Sequence, residues 1–180
     1  KDLKKTLNIY KSKQNGFKWV HDGLGTNSRM TEIQSVSGIY QLKNLKKNIF
    51  ERRKRAEIFI KILKRFTQIS IQYQNEKSHN AFYRLYFTIT PNLENSFLRN
   101  KIINTLKKLG VEARVDACPE IYKEKYFLNN FNPKKIKGGF KNTKIVGKNS
   151  ISLKVDSTIS LKAITKSSKI LNDILKEYFK

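Results

Sequence analysis

Residues 25–34 read Gly-Thr-Asn-Ser-Arg-Met-Thr-Glu-Ile-Gln and hold the residue types best suited to gripping an anion. Gly25, Thr26, Asn27 and Ser28 make a short loop of small residues directly ahead of a helix start. Thr31 followed three residues on by Gln34 is a capping-box pattern. Ile33, Val36 and Ile39, with Tyr40 beside it, continue at helical spacing. A loop feeding a helix N-terminus offers its amides to a phosphate or carboxylate. Here the Asn27 carboxamide and the Arg29 guanidinium stand next to them. The same residues also read as an ordinary capped helix, and local physics alone leaves both readings open.

The surrounding elements must position that loop. The apolar spacing predicts a helix from Thr31 to about Leu42, a slight bend near Lys43-Asn44, and a second helical stretch to about Phe66. Arg52, Arg53, Lys54, Arg55, Lys61 and Lys64, interleaved with its apolar positions, read as a solvated face. Alternation at Ile69, Ile71 and Tyr73 predicts a strand, and residues 81–90, rich in aromatic and β-branched types, predict the strongest one. Leu98, Ile102, Leu106 and Leu109 form a helical stripe, closed by Gly110 where a C-terminal cap belongs. A short strand over residues 111–115 and a loop with one helical turn over 118–131 follow. Turns then fall at Asn132-Pro133 and Gly138-Gly139. Ile151, Leu153 and Val155 alternate as a last strand, and Ser160 caps a final helix whose stripe is Ile164, Leu171, Ile174, Leu175 and Tyr178. A short strand is also expected at residues 17–20. The sum is an α+β fold, a small sheet layered with helices.

Composition narrows the possible partners. The chain has 180 residues, enough for one domain or one domain and a piece of another. It does not open on Met, and its basic start lacks an apolar stretch, so a segment of a longer polypeptide without a signal peptide is expected. No apolar run is long enough to cross a bilayer, so no membrane partner is expected. Cys118 is the sole cysteine, which excludes an internal disulfide and a cysteine-cluster metal site. That usage fits a reducing, cytoplasmic compartment. With only His21 and His79 as imidazoles, no metal is expected. Lys and Arg number 38 against 14 acids, a formal charge of +24 that attracts polyanions. The cations run along the whole length instead of gathering in one patch, however. The strand-like alternation of Phe82-Tyr83-Arg84-Leu85-Tyr86-Phe87 does not suit a base-stacking platform. Nucleic acid is therefore not the expected partner, although a non-catalytic basic module binding nucleic acid or another polyanion is kept as an alternative.

The extended segment Trp19-Val20-His21-Asp22-Gly23-Leu24-Gly25-Thr26-Asn27-Ser28-Arg29-Met30-Thr31-Glu32-Ile33-Gln34 resembles the second half of the DegT/DnrJ/StrS family of sugar aminotransferases. The similarity continues through Gly38, Gln41-Leu42 and Glu51-Arg52-Arg53. It returns at Ala81-Phe82-Tyr83-Arg84, at residues 118–127 and at residues 152–159. The resemblance implies a fold-type-I enzyme using pyridoxal 5′-phosphate (PLP). Residues 1–50 would end the large cofactor-holding domain, and residues 51–180 would form the small C-terminal domain. It implies a homodimer with a shared active site, and transfer of an amino group, usually from glutamate, to a nucleotide-linked keto-sugar for polysaccharide or glycan assembly. PLP chemistry needs a Schiff-base lysine. The family's lysine precedes a Gly-rich stretch upstream of this segment, and Lys137-Gly138-Gly139 does not match it, so the chain alone is expected to be inactive. The family also contains PLP-dependent sugar dehydratases with histidine at the lysine position, and this segment does not separate the two.

Carried over residue by residue, the resemblance assigns Asn27 to the PLP phosphate of the neighbouring subunit. It places Arg29 near a sugar-nucleotide phosphate, and Glu120, on the loop approaching the substrate, near sugar hydroxyls. A turn residue, a surface ion pair and a solvated loop acid are the respective alternatives. Cys118 reads as a small buried residue, and His21 and His79 as structural or exposed. Val155-Asp156-Ser157-Thr158 departs from a family pattern of Val-His-Pro-Thr. That departure is expected to add a negative charge and loosen the turn.

Overall fold

A computed structural model describes residues 28–71, 79–90, 96–115, 120–123 and 140–179. The chain divides into two compact units, Lys1–Tyr40 and Gln41–Lys180. The described part of the first is residues 28–40. There the Thr31 amide donates to Gln34 Oε1 at 2.9 Å and the Gln34 amide to Thr31 Oγ1 at 3.4 Å. The capping box read from sequence is therefore formed, and helix α1 (Glu32–Leu63) starts behind it with an acid in its first turn. No break occurs at Lys43-Asn44. The helix runs through, because neither residue forbids helical backbone and one weak helix former costs well under about 1 kcal/mol.

The second unit holds a four-stranded antiparallel sheet in the order β1-β2-β4-β3. Its strands are β1 (Ile69–Ile71), β2 (Leu85–Ile89), β3 (Ala113–Arg114) and β4 (Ser150–Leu153). Register places Ile69 against Ile89, Phe87 against Ile151, and Leu153 between Leu85 and Ala113. Leu85, Phe87 and Ile89 are buried in alternation with half-buried Tyr86 and Thr88, the pattern of a strand with one covered face. β2 is shorter than the predicted residues 81–90. Phe82 takes φ 45°, a left-handed backbone that ends the extended run.

Helices α2 (Ser96–Lys108) and α4 (Leu161–Tyr178) lie against one another, and α2 also meets β3 and β4. Gly110, at φ 77°, caps α2 as its spacing predicted. Ser160 caps α4 by accepting from the Ala163 amide at 3.2 Å. Together with Phe59 and Leu63 of α1, their stripes Ile102, Leu106, Leu171 and Leu175 close over the sheet. Helix α3 (Lys141–Asn149) lies where no helix was expected. Its Asn, Thr and Gly content gives a weak local signal. A tertiary bond holds it instead, Arg99 Nη1 donating to the Gly147 carbonyl, and within the helix the buried Asn149 side chain donates to the Ile145 carbonyl at 3.0 Å. Among the described residues no helix is long and apolar enough to cross a membrane.

Candidate functional site

The three residues singled out from sequence have different standings. Asn27 and Cys118 lie outside the described residues, as do His21 and the strand expected at 17–20. Arg29, two residues ahead of the capping box, is exposed and makes no ion pair with a described residue. Glu120 belongs to the second unit and is engaged within its own loop.

That loop is built from a few local contacts. The Lys123 amide donates to the Glu120 carbonyl at 2.8 Å and closes a single turn of 3-10 helix, Ile121–Lys123. The turn brings the Tyr122 hydroxyl onto Glu120 Oε1 and the Lys123 ammonium within 2.8 Å of Oε2. Lys123 first, then Tyr122, hold the Glu120 carboxyl below its ordinary range. In return the carboxylate pushes the Tyr122 hydroxyl up to about 12, so the ring stays protonated and donating. Tyr122 also stacks on Phe140, with centroids 4.1 Å apart and planes at 14°. Each Glu120 oxygen thus has one intramolecular donor and retains acceptor capacity for a second. His79 is exposed.

The basic run of α1 is only in part the solvated face its charges suggested: Lys54, Lys61 and Lys64 are exposed, while Arg52, Arg53 and Arg55 are drawn in. Arg55 is only 5% exposed. Its Nε donates to the Ile159 carbonyl at 2.7 Å, and its Nη1 to the Glu51 carbonyl at 2.7 Å and carboxylate at 2.6 Å. Arg53 Nε reaches the Asn80 carbonyl at 3.0 Å, and Arg52 lies 3.9 Å from Asp156. Three neighbouring guanidiniums therefore tie one turn of α1 to the turn after β4 and to the entry of β2. The Glu51/Arg55 spacing of four was the available signal, and it was hidden among four consecutive basic residues.

Two further arrangements had no sequence signal of their own. Asn80 Oδ1 accepts from the Phe82 amide at 2.8 Å and fixes the left-handed residue, which leaves Tyr83 80% exposed. Where three neighbouring strands meet, Glu112 faces Arg114 at 2.8 Å, Lys154 at 3.3 Å and the buried Arg84 at 3.4 Å. Arg84 also donates to Ser152 Oγ at 3.0 Å. Partial burial works against the Glu112 charge, but Lys154, Arg84 and Arg114 outweigh it and hold the carboxyl below its ordinary range.

The turn expected to loosen at Asp156 is instead tied. Asp156 Oδ1 accepts the Thr158 amide at 2.9 Å and the Thr158 hydroxyl at 2.6 Å, and the Ile159 amide closes on the Asp156 carbonyl at 3.2 Å. An Asx turn supplies locally the restraint that a proline would impose through its ring. The Thr158 hydroxyl first, then its amide, depress the Asp156 carboxyl.

Residues 3–171 match the description of the DegT/DnrJ/EryC1/StrS aminotransferase family. No curated protein matches the chain. Among solved structures, the aminotransferase from Psychrobacter cryohalolentis is 23% identical with a TM-score of 0.74, covering 94% of this chain and 45% of that one. The Helicobacter pylori aminotransferase involved in the biosynthesis of pseudoaminic acid is 20% identical with a TM-score of 0.70, covering 92% and 43%. The E. coli GDP-4-keto-6-deoxy-D-mannose-3-dehydratase, solved with bound hydrated PLP, is 24% identical with a TM-score of 0.68, covering 86% and 38%. The chain therefore spans under half the length of the structures it resembles. At these identities the structures establish the α+β fold, and the family match over nearly all of the sequence settles membership: the chain belongs to the DegT/DnrJ/EryC1/StrS aminotransferase family.

Proposed function

We propose that this chain is the C-terminal part of a PLP-dependent aminotransferase acting on a nucleotide-linked keto-sugar in amino-sugar and surface-polysaccharide assembly, with glutamate as amino donor. The Schiff-base lysine lies outside it, and the segment alone is inactive. The observation that carries the reading is the formed capping box at Thr31 and Gln34, directly behind the Gly25–Arg29 motif of a chain that matches the family over residues 3–171. When bound, PLP supplies the electron sink that lets an amino group move between two carbons. The chemistry of Asn27 suits its phosphate, since a carboxamide offers an uncharged donor, and Arg29, an exposed cation without a described ion-pair partner, suits the phosphates of the substrate.

In this reading Asn27 donates to a phosphate oxygen of the cofactor held by the other subunit of a homodimer. Arg29 steadies the phosphates of the nucleotide-linked substrate. Glu120 accepts from sugar hydroxyls with the acceptor capacity that Tyr122 and Lys123 leave over, its geometry fixed by the Tyr122–Phe140 stack. Residues 1–50 belong to the large domain and 51–180 to the small one. A core whose α1 contribution begins only at Arg55 and Ala56 supports this boundary, which lies ten residues beyond the division between the two compact units at Tyr40. The exposed apolar side chains of the first half of α1 support the homodimer. The single cysteine supports a cytoplasmic setting.

The dehydratase of the same family is the second reading, favoured by the E. coli dehydratase among the similar structures. Both readings use Asn27 in the same way. The test is PLP retention by the full-length protein, followed by its visible absorbance on dilution. Asn27→Ala is expected to weaken retention about tenfold, the loss of one charge-assisted hydrogen bond. Unchanged retention removes Asn27 from the site.

A further inference from the structure

Helices α1 and α4 leave a groove of about 570 Å³ between them, within the second unit. Its α1 wall repeats every turn. Ile58 and Ile62 are half-buried and four residues apart, and Lys61 and Arg65, also four apart, are exposed beside them. Lys169 of α4 stands on the opposite rim. None of these three cations has an ion-pair partner among the described residues, and Asp173 is the one acid lining the groove. Asp173 takes the Asn172 amide at 3.1 Å, while the Asn172 carbonyl oxygen has no partner among the described residues, so the groove is short of a hydrogen-bond donor.

We infer that this groove is a docking site for an acidic amphipathic helix of a partner protein. Two aliphatic side chains one helical turn apart, flanked by two cations one turn apart, ask for a ligand with the same period. That ligand carries apolar residues at i and i+4 over Ile58 and Ile62, and carboxylates at i and i+4 facing Lys61 and Arg65. A carboxylate on its other flank meets Lys169. Nucleic acid fits less well, because the groove offers aliphatic walls and no ring on which a base could stack. A membrane surface is flat, whereas the cations here line a concave space. The formal charge of +24 speeds encounter with an acidic partner from a distance, but only the groove supplies the apolar contact.

The test uses the full chain and a fluorescein-labelled synthetic peptide of about four helical turns, with Leu at i, i+4 spacing and Glu around it. Anisotropy at physiological ionic strength is expected to show saturable binding with Kd of about 10–100 μM. The double charge reversal Lys61→Glu with Lys169→Glu, both exposed and so compatible with folding by circular dichroism, is expected to weaken it tenfold or more, on the order of one lost charge contact each. Lys46→Glu with Lys47→Glu, on α1 outside the groove, is expected to change it by less than about twofold. Ile62→Asn is expected to weaken binding at unchanged salt dependence. Absence of saturable binding, equal loss in both double reversals, or competition by duplex DNA as effective as by unlabelled peptide overturns the proposal.

Discussion

The two halves of α1 carry similar side chains to opposite ends. In the first, Ile33, Val36, Ile39 and Tyr40 are between 55% and 84% exposed. In the second, Phe59 and Leu63 are at most 1% exposed, and Ala56 and Ile60 are buried with them. Spacing is helical in both, and the capping box gives the first half the better local start. The difference lies in what faces each half. The sheet and the arginine bonds to Ile159 and Asn80 meet the second, whereas Ile33, Val36 and Ile39 of the first stay exposed. Periodicity reports which residues share a face. Burial requires a second surface, and one helix can have it at one end only.

Substitutions test that contrast. Phe59→Ala should have the largest effect, about 3–5 kcal/mol of unfolding free energy, read from urea midpoints at constant slope. A loss below about 1 kcal/mol would mean that the second half is no better anchored than the first. Arg55→Ala should follow, costing about 1–3 kcal/mol because the Ile159 carbonyl and the Glu51 carboxylate lose their donor, and Arg55→Lys should recover only part of it. Full recovery by lysine would show that charge alone, not the forked geometry, joins helix and turn.

Asp156→Asn should change the response to acid. The folded Asp156 carboxyl is depressed, so its contribution is complete above the ordinary carboxylate value of about 4 and fades as pH falls through the lower folded value. The variant should flatten the acid limb of thermal midpoint against pH, and an unaltered limb would sever the Asp156–Thr158 turn from stability. Smallest of all, Ile33→Ser with Val36→Ser should change the unfolding free energy by less than about 0.5 kcal/mol. Sedimentation should then show whether these residues act in association: a reduced dimer fraction at unchanged stability would mark this stretch as an interface.

Legibility in the sequence follows the range of the interaction. Capping at Thr31 and Ser160, the turn at Gly110 and the alternation of β2 were readable, because each depends on residues within about four positions. Helix α3 was not, since its local signal is weak and Arg99 holds it from another element. The arginine run misled for the same reason: Arg55 meets Ile159 across 104 positions, and its local signal, a spacing of four from Glu51, stands beside a similar spacing of three to exposed Lys54. At the candidate site, the resemblance pointed to Asn27, Arg29 and Glu120, and one helical turn was expected within residues 118–131, but the bonds that occupy Glu120 depend on that turn falling at Ile121–Lys123, which spacing did not specify. The Asp156 turn shows the opposite failure. Judged only as a missing proline it looked weaker, yet its carboxylate builds the restraint itself.

Glu112 serves cations at the ends of β2, β3 and β4 at once. In a chain where 38 bases share 14 acids, anions are the scarce resource, and Glu51 and Glu112 each have more than one cation depending on them. Tolerance to sequence drift is therefore lopsided. An exposed lysine can be exchanged with little consequence, while neutralising one such carboxylate leaves three positive groups confronting one another at a sheet corner.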